Sequence, residues 1–267
     1  MSISSPEELE SLRAAGRIVR RMIEAMKREV RAGVTTAELD EIGARVMRRH
    51  GARSAPKLVY GFPGTSCISV NEEAVHGIPS GRALRDGDLV KLDVTVEKDG
   101  FMADAAETIS VGRTTPERLR LIACAERAFA KASSLARAGT CLREIGRAVE
   151  REVLANHFSV IRELGGHGIG RTIHEEPSVP NFADPAAKQI LTAGLVITIE
   201  PIIAAGSGGV VLGQDGWAVR TADGRPSAHY EHTLVITDQE LEIGLAICEQ
   251  TLEAISKAMD TAHAGNA

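Results

Sequence analysis

The stretch "LVKLDVTVEKDGFMADAAETI", residues 89–109, decides the fold. Its first arm alternates with the period of a β-strand and places four apolar residues on one face: Val90, Leu92, Val94 and Val96. The Asp99-Gly100 pair that follows is typical of a two-residue hairpin turn. The sequence therefore predicts an antiparallel hairpin with one buried apolar face.

Two aspartates, Asp93 and Asp104, lie in the middle of the two arms, although aspartate is a poor strand former. A two-residue turn places Asp104 opposite Thr95, on the face of Asp93 and one step along the strand. Diagonal neighbours of this kind have Cβ atoms roughly 7–8 Å apart or less. Like charges at that distance repel unless a cation lies between them. The alternatives are a solvated face for both side chains, or a bulged turn that changes the register.

Further acidic residues and a histidine follow in the second half of the chain. Glu200 ends the strand-like segment "GLVITIE", and Glu231 lies in the strand-like segment "SAHYEHTLVIT". His167 lies in "LGGHGIG", where glycines let the backbone bend closely around an imidazole. Four carboxylates and one imidazole suit divalent Mn, Fe, Co or Zn, and so many acids can bridge two ions roughly 3.5–4 Å apart.

The chain also contains two copies of one plan. "RAGVTTAELDEIGARV" (31–46) matches "RAGTCLREIGRAV" (137–149), and "HGIP" is echoed by "HEEP". We predict one domain over residues 1–267, built from two α+β halves of roughly 5–112 and 113–250 that are related by a pseudo-twofold. The histidines of the echoed segments, His76 and His174, would either support the metal ligands or face a substrate, placed to hydrogen-bond a scissile carbonyl and its oxyanion. The alternative is a pair of turn histidines before prolines.

Capping signals mark the helix starts. Ser5 and Glu8 predict a capping box that opens a long helix ending at Gly33, and Thr35 and Glu38 predict a second capping box.

Composition limits the class of protein. The chain has 267 residues and a net charge of −5, so no bulk attraction to nucleic acid or anionic membrane is expected. The start "MSISSPEELE" does not have the pattern of a signal peptide, and no run of about 18 apolar residues occurs. The cysteines are scattered, which fits a reduced cytoplasmic compartment: Cys67, Cys124, Cys141 and Cys248.

These motifs resemble the type I methionine aminopeptidases of the pita-bread fold, in their short bacterial form. The segments that carry the resemblance are "CISVNEEAVHGIP", "GDLVKLDVTVEKDGFMADAA", "GHGIGRTIHEEP", "TIEP" and "HYEHT". The resemblance implies an α+β fold of two pseudo-twofold-related halves, with a curved central antiparallel sheet and helices on its outer face. It also implies two divalent ions, Co, Mn, Fe or Zn, held by Asp93, Asp104, His167, Glu200 and Glu231.

The same resemblance implies an enzyme that removes the initiator methionine from nascent chains, preferring small second residues, by attack of hydroxide from the dinuclear centre. His76 would contact the substrate near the scissile bond, His174 would steady the tetrahedral intermediate, and Glu200 would carry a proton to the leaving amine. The methionine pocket maps onto Val59, Phe62, Cys67, Ile173 and Trp217. We expect a cytoplasmic monomer that meets its substrates near the ribosome.

Two departures from the family pattern and several rival functions bear on this assignment. Val59 and Ile173 replace aromatic residues of some relatives, and Ala105 and Ala106 replace hydroxyl residues. An Xaa-Pro dipeptidase or creatinase-like enzyme generally has an additional N-terminal domain, for which this chain has no space. A non-catalytic pita-bread protein would lack ligands. A phosphate loop is excluded because Arg171 stands where that motif has lysine, and a serine hydrolase is excluded because no G-x-S-x-G motif occurs. Cys67 as a nucleophile is a further alternative.

Overall fold

The structure is a computed structural model, and it describes residues 1–238. Within that range there are five helices: α1 (Pro6–Lys27), α2 (Thr36–Arg49), α3 (Ala55–Tyr60), α4 (Pro116–Ser133) and α5 (Leu142–Ala155). The strands of the first half are β1 (Arg53–Ser54), β2 (Cys67–Val70), β3 (Glu73–Val75), β4 (Leu89–Lys98) and β5 (Phe101–Ser110). The strands of the second half are β6 (Ser159–Val160), β7 (Gly165–Gly168), β8 (Glu175–Pro180), β9 (Val196–Ile199), β10 (Ile202–Ala204), β11 (Val210–Leu212), β12 (Val219–Thr221), β13 (Ser227–His229) and β14 (Glu231–Val235).

The start of α1 differs from the predicted capping box in one half of the motif. Ser5 is the N-cap and accepts a hydrogen bond from the Glu8 backbone N–H at 3.3 Å, as predicted. The Glu8 carboxylate, however, accepts from the Ser4 backbone N–H at 2.9 Å. The reciprocal bond to Ser5 predicted from the sequence is wrong, because Ser4 offers both a backbone and a hydroxyl donor to this carboxylate.

The end of α1 is also earlier than predicted, whereas the start of α2 is confirmed. The helix ends at Lys27, and Gly33 has a left-handed φ of 89°. The Gly33 N–H donates to the Leu84 carbonyl at 2.8 Å, so a contact distant in sequence has replaced helical bonding. At α2, both bonds of the capping box between Thr35 and Glu38 are present.

The hairpin of β4 and β5 has the predicted register. Lys98 pairs with Phe101, and Thr95 pairs with Asp104. Asp99 and Gly100 have φ values of 52° and 85°. Left-handed conformations at both turn positions are the signature of a type I′ hairpin turn, which matches the twist of the strands. The bulged alternative is therefore excluded.

An eight-stranded sheet joins the two halves of the chain. Its strands follow the order β1-β4-β5-β14-β9-β7-β8, with β2 also paired to β4, and each of these pairings is antiparallel. The halves meet at β5 and β14, where Ala106 pairs with Glu231 and Ala105 with His232. The antiparallel central sheet that the sequence indicated is confirmed.

The helices pack on the apolar side of this sheet. The apolar face of β4 forms one core with α1, which includes Leu12, Val19 and Met22. A second core joins α4 and α5 to the strands of the second half, including Ile197 and Leu234. Each fully buried side chain of this size contributes roughly 1.5–3 kcal/mol relative to exposure. Asp93 and Asp104, which alternate with these apolar residues, lie on the other face of the sheet.

Both halves run in the same order: two long helices, then antiparallel strands that contain or border two of the four predicted metal-binding carboxylates. This agrees with the predicted α+β class. The bounds of the repeat and the single domain stay predictions, and residues 239–250 of the second copy lie outside the described residues. In the described part of the chain, no helix is long and apolar enough to cross a membrane.

Candidate active site

A cavity of about 430 Å³ lies where the two halves of the sheet meet. Its polar lining includes all five predicted metal ligands and both predicted substrate histidines: Asp93, Asp104, His167, Glu200, Glu231, His76 and His174. Its apolar lining includes Phe62, Cys67, Ile173 and Trp217. The fold therefore brings together nearly every site residue predicted from the sequence.

The two aspartates of the hairpin face the cavity, on the side of the sheet opposite the helices. Asp104 is 5% exposed, and its Oδ1 atom has no hydrogen-bond partner among residues 1–238. Its backbone N–H donates to the Thr233 hydroxyl at 2.9 Å, and this hydroxyl donates to the Asp104 carbonyl at 2.9 Å. Burial raises the pKa of Asp104 to about 6. Burial and the Asp104 charge raise the pKa of Asp93 well above its usual range.

Thr198 links the predicted ligands of β7 and β9. Its hydroxyl donates to Glu200 Oε1 at 3.0 Å and accepts from the His167 backbone N–H at 3.0 Å. The His167 Nδ1 atom lies 2.9 Å from the Gly168 carbonyl oxygen, which favours a proton on Nδ1 and leaves the Nε2 lone pair free. Nε2 lies 3.4 Å from Glu200 Oε1. Burial, then the charges of Asp104 and Asp93, raise the pKa of Glu200 well above its usual range.

Glu231 starts β14 and faces a histidine that the sequence-based prediction missed. Glu231 is 2% exposed, and its Oε1 atom has no hydrogen-bond partner in the described chain. Burial, then the charge of Asp104, raise the pKa of Glu231. His229 Nε2 lies 3.3 Å from Glu231 Oε2, and burial lowers the pKa of His229 to about 3. The missed signal was its place in "HYEHT", two residues before Glu231 and on the same face by strand alternation.

Divalent cations fit these residues. Burial raises the pKa values of all four carboxyl groups, and the charge of Asp104 raises those of Asp93, Glu200 and Glu231 further. Two carboxylate oxygens, Asp104 Oδ1 and Glu231 Oε1, lack partners among residues 1–238. A cation supplies both the missing charge and the missing contact. The site contains two groups of three donor residues, and within each group the donor atoms all lie within 4.8 Å of one another. The groups are Asp104, His167 and Glu231, and Glu200, His229 and Glu231. Oxygen and imidazole donors without thiolate suit Mn, Fe, Co or Zn.

The two histidines of the echoed segments stand at the cavity wall. His76 has a left-handed φ of 58° and is followed by Gly77, where a Cβ atom would lie 2.4 Å from the Ile68 carbonyl oxygen. His174 Nδ1 lies 2.5 Å from the Tyr60 hydroxyl. Burial lowers the pKa of both rings, so both are neutral near pH 7. A neutral imidazole can donate one hydrogen bond and accept another.

The apolar pocket has one member different from the predicted set. Phe62, Cys67 and Ile173 are buried, and the Trp217 ring meets Phe62 edge-on at 5.2 Å between centroids. Val59 is 37% exposed and does not line the cavity, whereas its neighbour Tyr60 does. Successive residues of a helix point about 100° apart, so α3 can turn only one of these two side chains inward.

The rival role of Cys67 as a nucleophile is disfavoured by its surroundings. Cys67 pairs with Asp93 across β2 and β4. Burial, then the charge of Asp93, raise the pKa of the Cys67 thiol well above its usual range. Because the thiolate is the nucleophilic form, this side chain acts as an apolar wall of the pocket.

Comparison with known proteins agrees with this geometry. The profile of metallopeptidase family M24 matches residues 10–238. A methionine aminopeptidase from Clostridium perfringens is 43% identical over 241 residues, which cover 90% of this chain and 97% of that protein. A methionine aminopeptidase from Escherichia coli K12 is 41% identical over 257 residues, covering 96% of this chain and 97% of that protein.

Solved structures confirm the pita-bread fold. The crystal structure of a methionine aminopeptidase from Thermotoga maritima has a TM-score of 0.88 and 32% identity, covering 92% of this chain and 100% of that chain. A prolidase from Pyrococcus furiosus has a TM-score of 0.69 at 22% identity, a likeness of fold alone, and this chain covers 63% of that chain. The chain belongs to metallopeptidase family M24, and within it to the bacterial type I methionine aminopeptidases that its motifs indicated.

Proposed function

We propose that this protein is a metal-dependent aminopeptidase that removes the initiator methionine from nascent polypeptides. One observation carries the proposal: four carboxylates and an imidazole converge in a cavity with an adjoining apolar pocket. The relatives named methionine aminopeptidase, at 41% and 43% identity over most of the chain, support it.

The acidic residues would hold two divalent ions. The protein ligands would be Asp93, Asp104, His167, Glu200 and Glu231, of which Asp104 and Glu231 offer buried oxygens without partners among residues 1–238. The ions would supply a hydroxide nucleophile near neutral pH and polarise the scissile carbonyl. Their number and identity belong to the proposal, with Co, Mn, Fe and Zn as the candidates.

Three residues would act on the substrate and its protons. The Glu200 carboxylate would take a proton from the attacking water and deliver it to the leaving amine. His76 and His174 would donate hydrogen bonds near the scissile carbonyl as negative charge develops on its oxygen. The Tyr60 hydroxyl at His174 Nδ1 fixes the orientation of that ring, so its Nε2 atom is the one that meets the substrate.

The apolar pocket would take the methionine side chain. Its walls would be Phe62, Cys67, Ile173 and Trp217, with Tyr60 in the place predicted for Val59. We propose that small second residues are preferred because larger ones would meet the cavity rim, and that the enzyme acts as a cytoplasmic monomer on nascent chains near the ribosome.

Peptide cleavage tests the function. The protein is stripped with chelator, and release of the first residue from Met-Ala-Ser, Met-Lys-Ser and Ala-Pro-Ala is measured before and after Mn or Co is added. We expect metal-restored cleavage of Met-Ala-Ser alone, and its loss in Asp104→Asn. Asp99→Asn makes the same chemical change in the exposed turn of the same hairpin and should leave cleavage intact.

The other outcomes separate the rival functions. Cleavage of Ala-Pro-Ala alone would assign an Xaa-Pro aminopeptidase activity of the prolidase branch instead. Bound metal without cleavage of any peptide would favour a non-catalytic member of the family.

A further inference from the structure

His229 is a buried imidazole at the acidic cavity that has no assigned role. It ends β13 and lines the cavity, and the residue is 1% exposed. Neither ring nitrogen has a hydrogen-bond partner among residues 1–238. Leaving both nitrogens of a buried imidazole without partners is unfavourable, so this ring is placed to bind a group in the cavity.

The distances around His229 match those of donors that share one ion. His229 Nε2 lies 3.3 Å from Glu231 Oε2 and 3.6 Å from Glu200 Oε2. Donors bound tetrahedrally at about 2.0–2.2 Å are separated by about 3.3–3.6 Å. His167 Nε2, on the other side of the centre, lies at a comparable 3.4 Å from Glu200 Oε1. The two imidazoles therefore approach opposite oxygens of Glu200 at the same range.

The backbone of His229 is anchored in the same way as that of Asp104. The His229 N–H donates to the Thr108 hydroxyl at 2.8 Å, and this hydroxyl donates to the His229 carbonyl at 2.8 Å. Thr233 makes the same pair of bonds to Asp104. In each case a threonine from one half of the chain fixes a cavity residue of a strand in the other half. The fold thus gives His229 the rigid support that it gives a proposed metal ligand.

His232 shows that this placement is not a general property of buried histidines in the segment. Its ring nitrogens also lack partners in the described chain. Its ring, however, packs edge-on against Phe129 and Tyr230, each at 5.0 Å between centroids, and it is absent from the cavity lining. Of these two histidines, only His229 points at the carboxylates.

We propose that His229 is a sixth protein ligand of the metal centre, contributing Nε2 on the side of Glu200 Oε2 and Glu231 Oε2. This rests on the proposed metal site and adds to it. With His229 as a ligand, the site would offer two imidazoles, one in each of its two groups of donor atoms. Because imidazole suits Zn and Fe whereas carboxylate suits Mn, the second imidazole shifts the metal preference of the site away from Mn.

Metal binding and spectroscopy of the full chain test this proposal, with Co(II) as the probe. The protein, labelled with ¹⁵N-histidine, is stripped with chelator and titrated with Co(II), and affinity is followed by calorimetry. Imidazole N–H resonances that have the large contact shifts of directly bound rings, here called shifted resonances, count the bound histidines. His229→Gln removes the proposed ligand, and His232→Gln is the matched control because it removes an equally buried imidazole outside the cavity.

We expect two histidines with shifted resonances in the wild-type protein. His229→Gln should lose one of them and weaken the binding of one equivalent about tenfold or more, whereas His232→Gln should keep both. The wild-type count judges the proposal even if a variant does not fold. A single shifted histidine, or unchanged affinity in His229→Gln, would overturn it.

Failure of this proposal and failure of the proposed function give different results. Two shifted histidines without peptide cleavage would support the ligand and contradict the peptidase activity. Peptide cleavage with only one shifted histidine would support the peptidase activity and contradict His229 as a ligand. Absence of Co(II) binding by the wild-type protein would overturn both proposals.

Discussion

Asp104→Asn should stabilise the metal-free protein while it removes activity. Asp104 is 5% exposed, and burial raises its pKa from 3.8 to about 6. One pKa unit corresponds to about 1.36 kcal/mol, so the ionised carboxylate destabilises the folded state by about 3 kcal/mol near neutral pH. Asparagine has nearly the same shape and no charge, and its amide can donate to the neighbouring carboxylates.

The pH dependence has a definite sign. The folded pKa of Asp104 lies above the unfolded value, so the folded state holds the proton more tightly and this stabilising contribution is lost as the pH rises through about 6. The free energy of unfolding of metal-free Asp104→Asn should therefore exceed that of the wild-type protein by about 3 kcal/mol at about pH 7.5 and by less than about 1 kcal/mol at about pH 4. At the higher pH this corresponds to a rise in Tm of roughly 6–12 °C.

Urea denaturation in the presence of EDTA, followed by far-UV circular dichroism at both pH values, measures the difference. Asp99→Asn, in the exposed turn of the same hairpin, should change stability little at either pH because surface charges contribute about 0–1 kcal/mol. Addition of Mn should stabilise the wild-type protein more than Asp104→Asn, since the variant has lost a ligand. A variant no more stable than wild type at the higher pH, or equally stabilised at both, would refute the reasoning.

Three further predictions concern residues around the site. Thr233→Val removes both hydrogen bonds to the Asp104 backbone. The free energy of unfolding should therefore fall by about 1–3 kcal/mol, and calorimetry should show weaker metal binding. Gly77→Ala places a Cβ atom 2.4 Å from a β2 carbonyl oxygen. This variant should lower the free energy of unfolding by roughly 1–3 kcal/mol or more and lower kcat by displacing the adjacent His76. An unchanged Tm would contradict this prediction. Burial lowers the pKa of Lys91 from 10.5 to about 7, so the unfolded state binds the proton more tightly and stability should rise by about 3 kcal/mol between about pH 7 and 9.5. Lys91→Met should abolish that rise in urea denaturation curves.

Local signals predict the hairpin and the placement of its two aspartates. The register of β4 and β5 follows from the Asp99-Gly100 turn and strict alternation, both of which act over a few residues. Those two features are sufficient to place Asp93 and Asp104 on one face of the hairpin. The family resemblance indicates the ligands of the second half, which the fold brings into the same cavity.

The missed features depend on contacts that local sequence does not encode. Gly33, the predicted end of α1, lies beyond the helix and bonds to Leu84, a residue distant in sequence. Tyr60 lines the cavity where Val59 was predicted, and which of the two faces inward depends on the rotation of α3 about its own axis. His229 could have been found from its alternation with Glu231, but its closeness to Glu200 requires two strands to meet.

The seam between β5 and β14 also has a kinetic consequence. Asp93 and Asp104 share a hairpin with a two-residue turn, and such hairpins close in roughly 1–10 μs. Glu231 reaches its partner Ala106 only after most of the chain has folded back, and contacts distant in sequence form slowly because loop closure loses entropy. We expect the β4–β5 hairpin to form first, the pairing of β5 with β14 second, and the complete set of metal ligands last. Metal uptake would then complete folding instead of starting it.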